Sequence, residues 1–241
     1  VWGTVSSDLG RNQSWFEFTS QLGELIDLDL VALPVYSWGC AVGHAIRMAT
    51  RLTGRKQVLV PQYLDPERLA VIRNYCEPSE MASHISIVEI AVDKSTHLLD
   101  IDDLNAKLSD NTAAVYIENP SFLGKIEHQA EIIVEAAHAH GAEAIVAIDP
   151  ISLGVIKPPG QYGADIVVGS IQPLGIHMNC GGGLGGFIAS RDEPRYAHEY
   201  PTLMISIAET IQNEKAFSLA LFHQCSYGSR EEGNDWTGNS V

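Results

Sequence analysis

The sequence predicts an α/β protein whose mostly parallel sheet is covered by helices on both faces. Short apolar runs alternate with helical segments at βαβ spacing through the middle of the chain. Runs such as KQVLVP are almost continuously apolar, as strands buried on both faces are. With 241 residues, 45% of them hydrophobic, the chain is long enough for one sizeable core.

Residues 15–26 (WFEFTSQLGELI) space their apolar positions as one face of a helix, and LDLVALPVY after them reads as a short strand or extended turn. SWGCAVGHAIRMATRLTG is a helix with Ser37 as its N-cap and Gly54 as its C-terminal stop. A strand, KQVLVP, follows. DPERLAVIRNYC is helical, with Pro66 at a permitted first-turn position. ISIVEIAV is a strand, DIDDLNAKLS a short helix, and AAVYIENP a strand that ends at Pro120. QAEIIVEAAHAHG is a helix closed by Gly141, and AIVAIDP, DIVVGS and GGFIAS are three further strands. From Arg191 onward the chain is richer in charge and less regular, and is expected to leave the sheet.

Fifteen basic against thirty acidic residues give a formal charge of -15, which repels phosphate backbones and anionic membrane surfaces, so no nucleic-acid or membrane partner is expected. Cys40, Cys76, Cys180 and Cys225 lie far apart, with no CxxC pair and no spacing suited to zinc, which suggests reduced thiols. The opening VWGTVSSDLGRNQSW has neither a basic nor an apolar leader region, and no run of eighteen apolar residues occurs. A cytoplasmic location is expected. The chain opens on Val and stops at DWTGNSV, and it is expected to be a piece of a longer protein.

In open parallel sheets, ligands sit at the carboxyl ends of the strands. Asp149, in AIVAIDP, stands at such an end, where a buried carboxylate requires a cation or hydrogen-bond donors. Two readings stand side by side: partner of the protonated ring nitrogen of pyridoxal phosphate, or cap of the turn DPISLG. Ser37, Trp38, Gly39 and Cys40 open a helix after an extended segment, a ready anion site suited to a cofactor phosphate, although any capped helix start looks the same. Asn119, before Pro120 at another strand end, can reach the same crevice, and Asn-Pro also opens turns. Gly181, Gly183 and Gly186 match G-x-G-x-x-G, but GGFIAS reads as a strand where a dinucleotide fingerprint needs a helix. Glu135 and His138 have a metal-bundle spacing without the second such motif, and read as surface residues.

Four blocks carry a family resemblance: ENPSFLGKIE, AIDPISLGVIKPPGQYGADIVVGSIQPLGI, MNCGGGLGGFIAS and, more loosely, SYGSREEGNDWTGNS. With them the chain resembles the α subunits of the glycine cleavage P-protein family, glycine dehydrogenase (decarboxylating) subunit 1, over roughly residues 15–241. The resemblance implies a fold-type-I pyridoxal phosphate enzyme, with an aspartate-aminotransferase-like large domain over residues 1–190. Residues 191–241 would lead toward a small C-terminal domain that is truncated here.

In that family the β subunit carries the Schiff-base lysine and the cofactor, and the α subunit pairs with it around a degenerate site. GADIVVGSIQPLG then puts Gln172 where the lysine would stand, and a neutral carboxamide cannot form the Schiff base. Catalytic residues are therefore not expected on this chain. Asp149, Asn119, Ser37, Gly39 and Cys40 are the expected remnant of a cofactor pocket, with pyridoxal phosphate itself on the β subunit. The implied reaction is glycine decarboxylation on the cofactor, followed by aminomethyl transfer to the lipoyl arm of H-protein. Three rival readings are a self-sufficient enzyme using Lys157, a structural or regulatory pseudoenzyme, and a paralogue acting on another amino acid. Lys157, in the Pro-rich VIKPPG, is expected to point away from the cofactor.

Overall fold

A computed structural model describes residues 5–78, 84–178 and 182–220. Among the described residues, nine strands and six α-helices follow one another as α1 (Val5–Ile26), β1 (Leu30–Val31), α2 (Trp38–Thr53), β2 (Gln57–Pro61), α3 (Pro66–Cys76), β3 (Ser86–Ile90), α4 (Ile101–Lys107) and β4 (Thr112–Glu118). There follow α5 (Ala130–Ala139), β5 (Glu143–Ile148), β6 (Ile166–Ser170), β7 (Gly186–Ser190), α6 (Pro194–Ala197), β8 (Met204–Glu209) and β9 (Lys215–Ala220).

Seven strands form one sheet in the order β1-β7-β6-β5-β4-β2-β3. The run from β6 to β3 is parallel, and β7 and β1 close one side antiparallel. Side chains alternate across the sheet. Ala114 and Tyr116 of β4, Ile145 and Ala147 of β5, and Ile166 and Val168 of β6 share a core with α2 and α3. Val115, Ile117, Val146, Ile148 and Val167 point to the other face and share a second core with α1, α4 and α5. A strand buried on both faces has no position for an unsatisfied polar group, which is why the sequence of β4 to β6 is apolar almost throughout.

Helix α2 forms as its sequence requires. The Ser37 hydroxyl accepts the Cys40 N–H at 3.2 Å, and Gly54 adopts the left-handed conformation (φ 70°) that ends the helix. Helix α1 differs from expectation by starting at Val5 instead of residue 15. Its first half lacks an apolar stripe, but i,i+4 contacts support it: Gln13 donates to Glu17 at 2.7 Å, and the Arg11 guanidinium lies 4.9 Å from the Trp15 ring centre. These pairs carry no apolar periodicity, so they leave no trace in a hydrophobic pattern.

After Ser190 the chain leaves the sheet yet stays against its core. Tyr196 and Tyr200 are fully buried, and the Tyr200 hydroxyl donates to Ser190 at 2.8 Å. The Thr202 hydroxyl donates to the Leu33 carbonyl, and β8 and β9 then pair as a separate two-stranded sheet against α1. Among the described residues no helix is long and apolar enough to cross a membrane. Cys40 and Cys76 are free thiols, while Cys180, Cys225, Gly181 and the block SYGSREEGNDWTGNS lie outside the described residues.

Candidate functional site

The carboxyl ends of β4, β5 and β6 stand side by side, and each expected site residue arrives at this one edge. Asn119 follows β4, Asp149 follows β5, and Gln172 lies two residues beyond β6. The start of α2 reaches the same edge because Val35, just before it, pairs with Gly186 opposite the end of β6. Gly186 permits that approach, since a Cβ there would lie 2.2 Å from the Ser37 carbonyl oxygen.

Within this arrangement most of the polar groups are engaged locally. Asp149 is half-buried and its carboxylate accepts the Ile151 N–H at 3.0 Å, capping the 3₁₀ turn Pro150–Gly154. The Asn119 amide is engaged by its own loop: it accepts the Glu127 N–H at 3.1 Å and donates to the Glu127 carbonyl at 3.3 Å. That reciprocal pair fixes the loop between β4 and α5, a contact that Asn119 could not be seen to make from its neighbours alone. Ser37 caps its own helix, and Gly39 has a packing reason to be glycine, because a Cβ there would lie 3.0 Å from the Val71 side chain on α3. Cys40 is half-buried one residue further on.

Gln172 opens a 3₁₀ turn (Gln172–Leu174) with its side chain exposed, and this turn touches the one that Asp149 caps. After Lys157 no lysine occurs before Lys215, so no amine stands at the end of β6. Lys157 is half-exposed and lies 3.9 Å from Glu131 on α5. The donors present therefore do not fit a cofactor held by a Schiff base. What remains for an anion is the pair of N–H groups at Trp38 and Gly39, which a helix start leaves without intrahelical partners.

A buried polar chain beside this edge was not anticipated. Glu118, the last residue of β4, is 4% exposed and pairs with Arg68 of α3. It also accepts the Tyr116 hydroxyl at 2.7 Å, and the Arg68 guanidinium stacks 3.7 Å from the Trp38 ring centre. Burial works against the charge on Arg68, but Tyr116 and Glu118 outweigh it and hold its pKa above the ordinary value. Burial pushes the Tyr116 hydroxyl well up, and the Glu118 charge adds to it. The chain Tyr116–Glu118–Arg68–Trp38 thus ties β4 to the first residue of α2. One signal could have found it: a carboxylate closing an otherwise apolar strand needs a cation, as argued for Asp149, and Glu118 meets that test better.

Glu127 is equally buried, and its carboxylate accepts the N–H groups of Leu99 and Gln129. Together with Pro61, Tyr63, Leu99 and Leu123, Glu118 and Glu127 line a narrow cleft between the ends of β2 and β4. His138 has no part in this edge. It sits at the opposite, amino end of the sheet, with Nε2 2.6 Å from Asp165. The glycines before β7 do not form a dinucleotide fingerprint, since Gly186 opens a strand.

Comparison with known proteins is consistent across sequence and structure. The family model described as glycine cleavage system P-protein matches residues 5–233. A protein of Saccharolobus solfataricus named probable glycine dehydrogenase (decarboxylating) subunit 1 is 37% identical over 224 residues, 92% of this chain and 48% of its own length. Its namesake from Staphylothermus marinus is 37% identical over 213 residues, 88% of this chain and 45% of its own. The chain thus spans about half the length of the curated relatives it matches. An inhibitor-bound glycine decarboxylase (P-protein) structure superposes with a TM-score of 0.85 at 31% identity, over 100% of this chain and 53% of that one. Cystathionine gamma synthase from Xanthomonas oryzae pv. oryzae superposes with a TM-score of 0.58 at 20% identity, over 78% of this chain and 45% of its own. That likeness shows the fold alone, that of fold-type-I pyridoxal phosphate enzymes.

Proposed function

From the premise that the chain belongs to the glycine cleavage system P-protein family, we propose that it is part of the lysine-free subunit of a glycine dehydrogenase (decarboxylating). The observation that carries this reading is Gln172, exposed at the end of β6 with no amine near it in sequence. A carboxamide leaves covalent capture to another chain, so the cofactor is assigned to a homologous β subunit bearing the lysine. Pyridoxal phosphate bound there supplies an electron sink for the decarboxylation of glycine, and the aminomethyl group passes to the lipoyl arm of H-protein.

In this reading the chain's own residues act on the partner's site as wall and scaffold. The Tyr116–Glu118–Arg68–Trp38 chain holds the start of α2 in place, and the apolar loops beyond β4 and β5 keep water away from the neighbouring chemistry. Residues 1–190 are assigned to the large domain and residues 191–241 to the passage toward a small one. The compartment is assigned as the cytoplasm.

The local engagement of Ser37, Asn119 and Asp149 favours a second reading, a pseudoenzyme that stabilises its partner without serving the reaction. Two measurements on the natural full-length protein, co-expressed with its lysine-bearing homologue, separate the readings. Borohydride reduction followed by peptide mapping is expected to place the pyridoxyl label on the partner's lysine; stoichiometric label on Lys157 overturns the proposal. Substitutions on this chain's carboxyl edge that leave assembly intact are expected to lower glycine decarboxylation, whereas unchanged turnover supports the pseudoenzyme.

A further inference from the structure

Among the described residues, the large sheet ends on one side in β1, two residues long, and on the other in β3, five residues long and paired only with β2. The Ser86 N–H donates to the Lys56 carbonyl at 2.8 Å, and the Ile90 carbonyl accepts the Gln62 N–H at 2.9 Å, so the even-numbered residues of β3 bond toward β2. Successive residues of a strand turn their backbone groups to opposite sides, which directs the N–H and C=O groups of Ile87, Glu89 and Ala91, just past the strand, outward. Such a row is a template for another strand, and the run ISIVEI has the apolar, β-branched composition that adds strands readily.

Helix α4 occupies part of this edge. The Asp93 carboxylate folds the chain back after β3 by accepting the Ser95 and Thr96 N–H groups, both at 2.8 Å, and Val92 bridges Leu99 antiparallel. Asp100 then caps α4, and the fully buried Leu104 seats it in the core. Asp103 and Lys107 lie one turn apart on the same side of the helix, paired at 2.6 Å. The Asp103 carboxylate accepts the Ala91 N–H at 2.6 Å, the Lys107 ammonium donates to the Glu89 carbonyl at 2.7 Å, and the Asp100 N–H donates to the Ala91 carbonyl at 3.0 Å. Three of the six outward groups are thereby taken. The Ala91 N–H, with help from Lys107, also holds the Asp103 carboxyl below its ordinary pKa. An exposed ion pair contributes little alone; this one is set apart by its main-chain partners on the strand.

We propose that the Asp103–Lys107 pair is a built-in clamp that stands in for a neighbouring strand, and that it stops β3 of one copy of this chain from pairing with β3 of another. The carboxylate supplies the acceptor and the ammonium the donor that the next strand would bring. Neither side chain offers a further backbone group on which a ladder could continue. What the clamp leaves, the Ile87 groups and the Glu89 N–H, is too short a row to hold a strand by itself. Arg73, 3.5 Å from Glu89, adds charge beside the same strand.

The test uses the natural full-length chain. Asp103→Ala/Lys107→Ala keeps good helix formers in α4 and is expected to raise the self-associated fraction roughly tenfold over the parent at equal concentration in sedimentation velocity. Adding Ile87→Pro, which removes an outward N–H and leaves the bonds to β2, is expected to return that fraction to the parent's value. Association that persists with Ile87→Pro lies elsewhere and overturns the proposal, as does a double variant no more associated than the parent. Hydrogen exchange on the unmodified chain decides the matter even where the double variant does not fold. The Ala91 N–H is expected to exchange roughly tenfold more slowly than the outward Ile87 N–H, and equal rates overturn the clamp.

Discussion

Removing Arg68 offers a direct measure of how strongly β4 is tied to the start of α2. Arg68→Ala would leave the Glu118 carboxylate, whose side chain is 2% exposed, with the Tyr116 hydroxyl at 2.7 Å and no counter-charge. Stripping one member from a buried ion pair costs about 3–5 kcal/mol, because the remaining charge has lost both water and partner. A chain of this length loses about 2–4 °C of melting temperature per kcal/mol, so the expected drop is about 6–20 °C. Urea melts of variant and parent measure the loss. Arg68→Met/Glu118→Leu, which removes both charges, should recover most of the loss. A penalty below about 1 kcal/mol would refute the picture of a desolvated pair.

Four further outcomes follow from other parts of the molecule. Burial, then the charge of Asp165, pushes the Glu143 carboxyl up against the pull of Tyr196 and Arg195; Glu143→Gln should flatten the fall in stability as pH rises from the ordinary glutamate range through that raised value, and an unchanged slope in urea melts would contradict it. Gly186→Ala places a Cβ 2.2 Å from the Ser37 carbonyl oxygen and should cost about 1–3 kcal/mol or more in a denaturant titration. Ser37→Ala should cost about 1 kcal/mol through the lost cap on the Cys40 N–H, while Ser37→Asp keeps the cap and most of the stability. Gln172→Lys should not by itself yield an efficient enzyme, because Asn119 is held by Glu127 and Asp149 by its own turn; robust glycine decarboxylation by the isolated variant would contradict this.

Much of the scaffold was legible from residue order. Ser37 and Gly54 bracket α2 as their side-chain and backbone chemistry requires, and the apolar runs of β4, β5 and β6 fall where the sequence puts them. Gln172 could also be placed beyond the end of β6 from spacing alone. The candidate ligands fared differently. Asp149 was read equally as cap and as cofactor partner, and the fold shows its cap. Asn119 was read as able to reach the crevice or as opening a turn, and in the fold it clasps Glu127, eight residues on.

The sequence by itself determined which segments become helices and strands, where they stop, and that no amine stands at the end of β6, because caps, periodicity and residue identity act within a few positions of one another. Tertiary structure alone decided that β2 lies between β4 and β3, that β7 runs antiparallel, and that Arg68 meets Glu118 fifty residues away. Those contacts join residues with no local relation, and their energies depend on burial and distance, quantities that exist only once the sheet has closed.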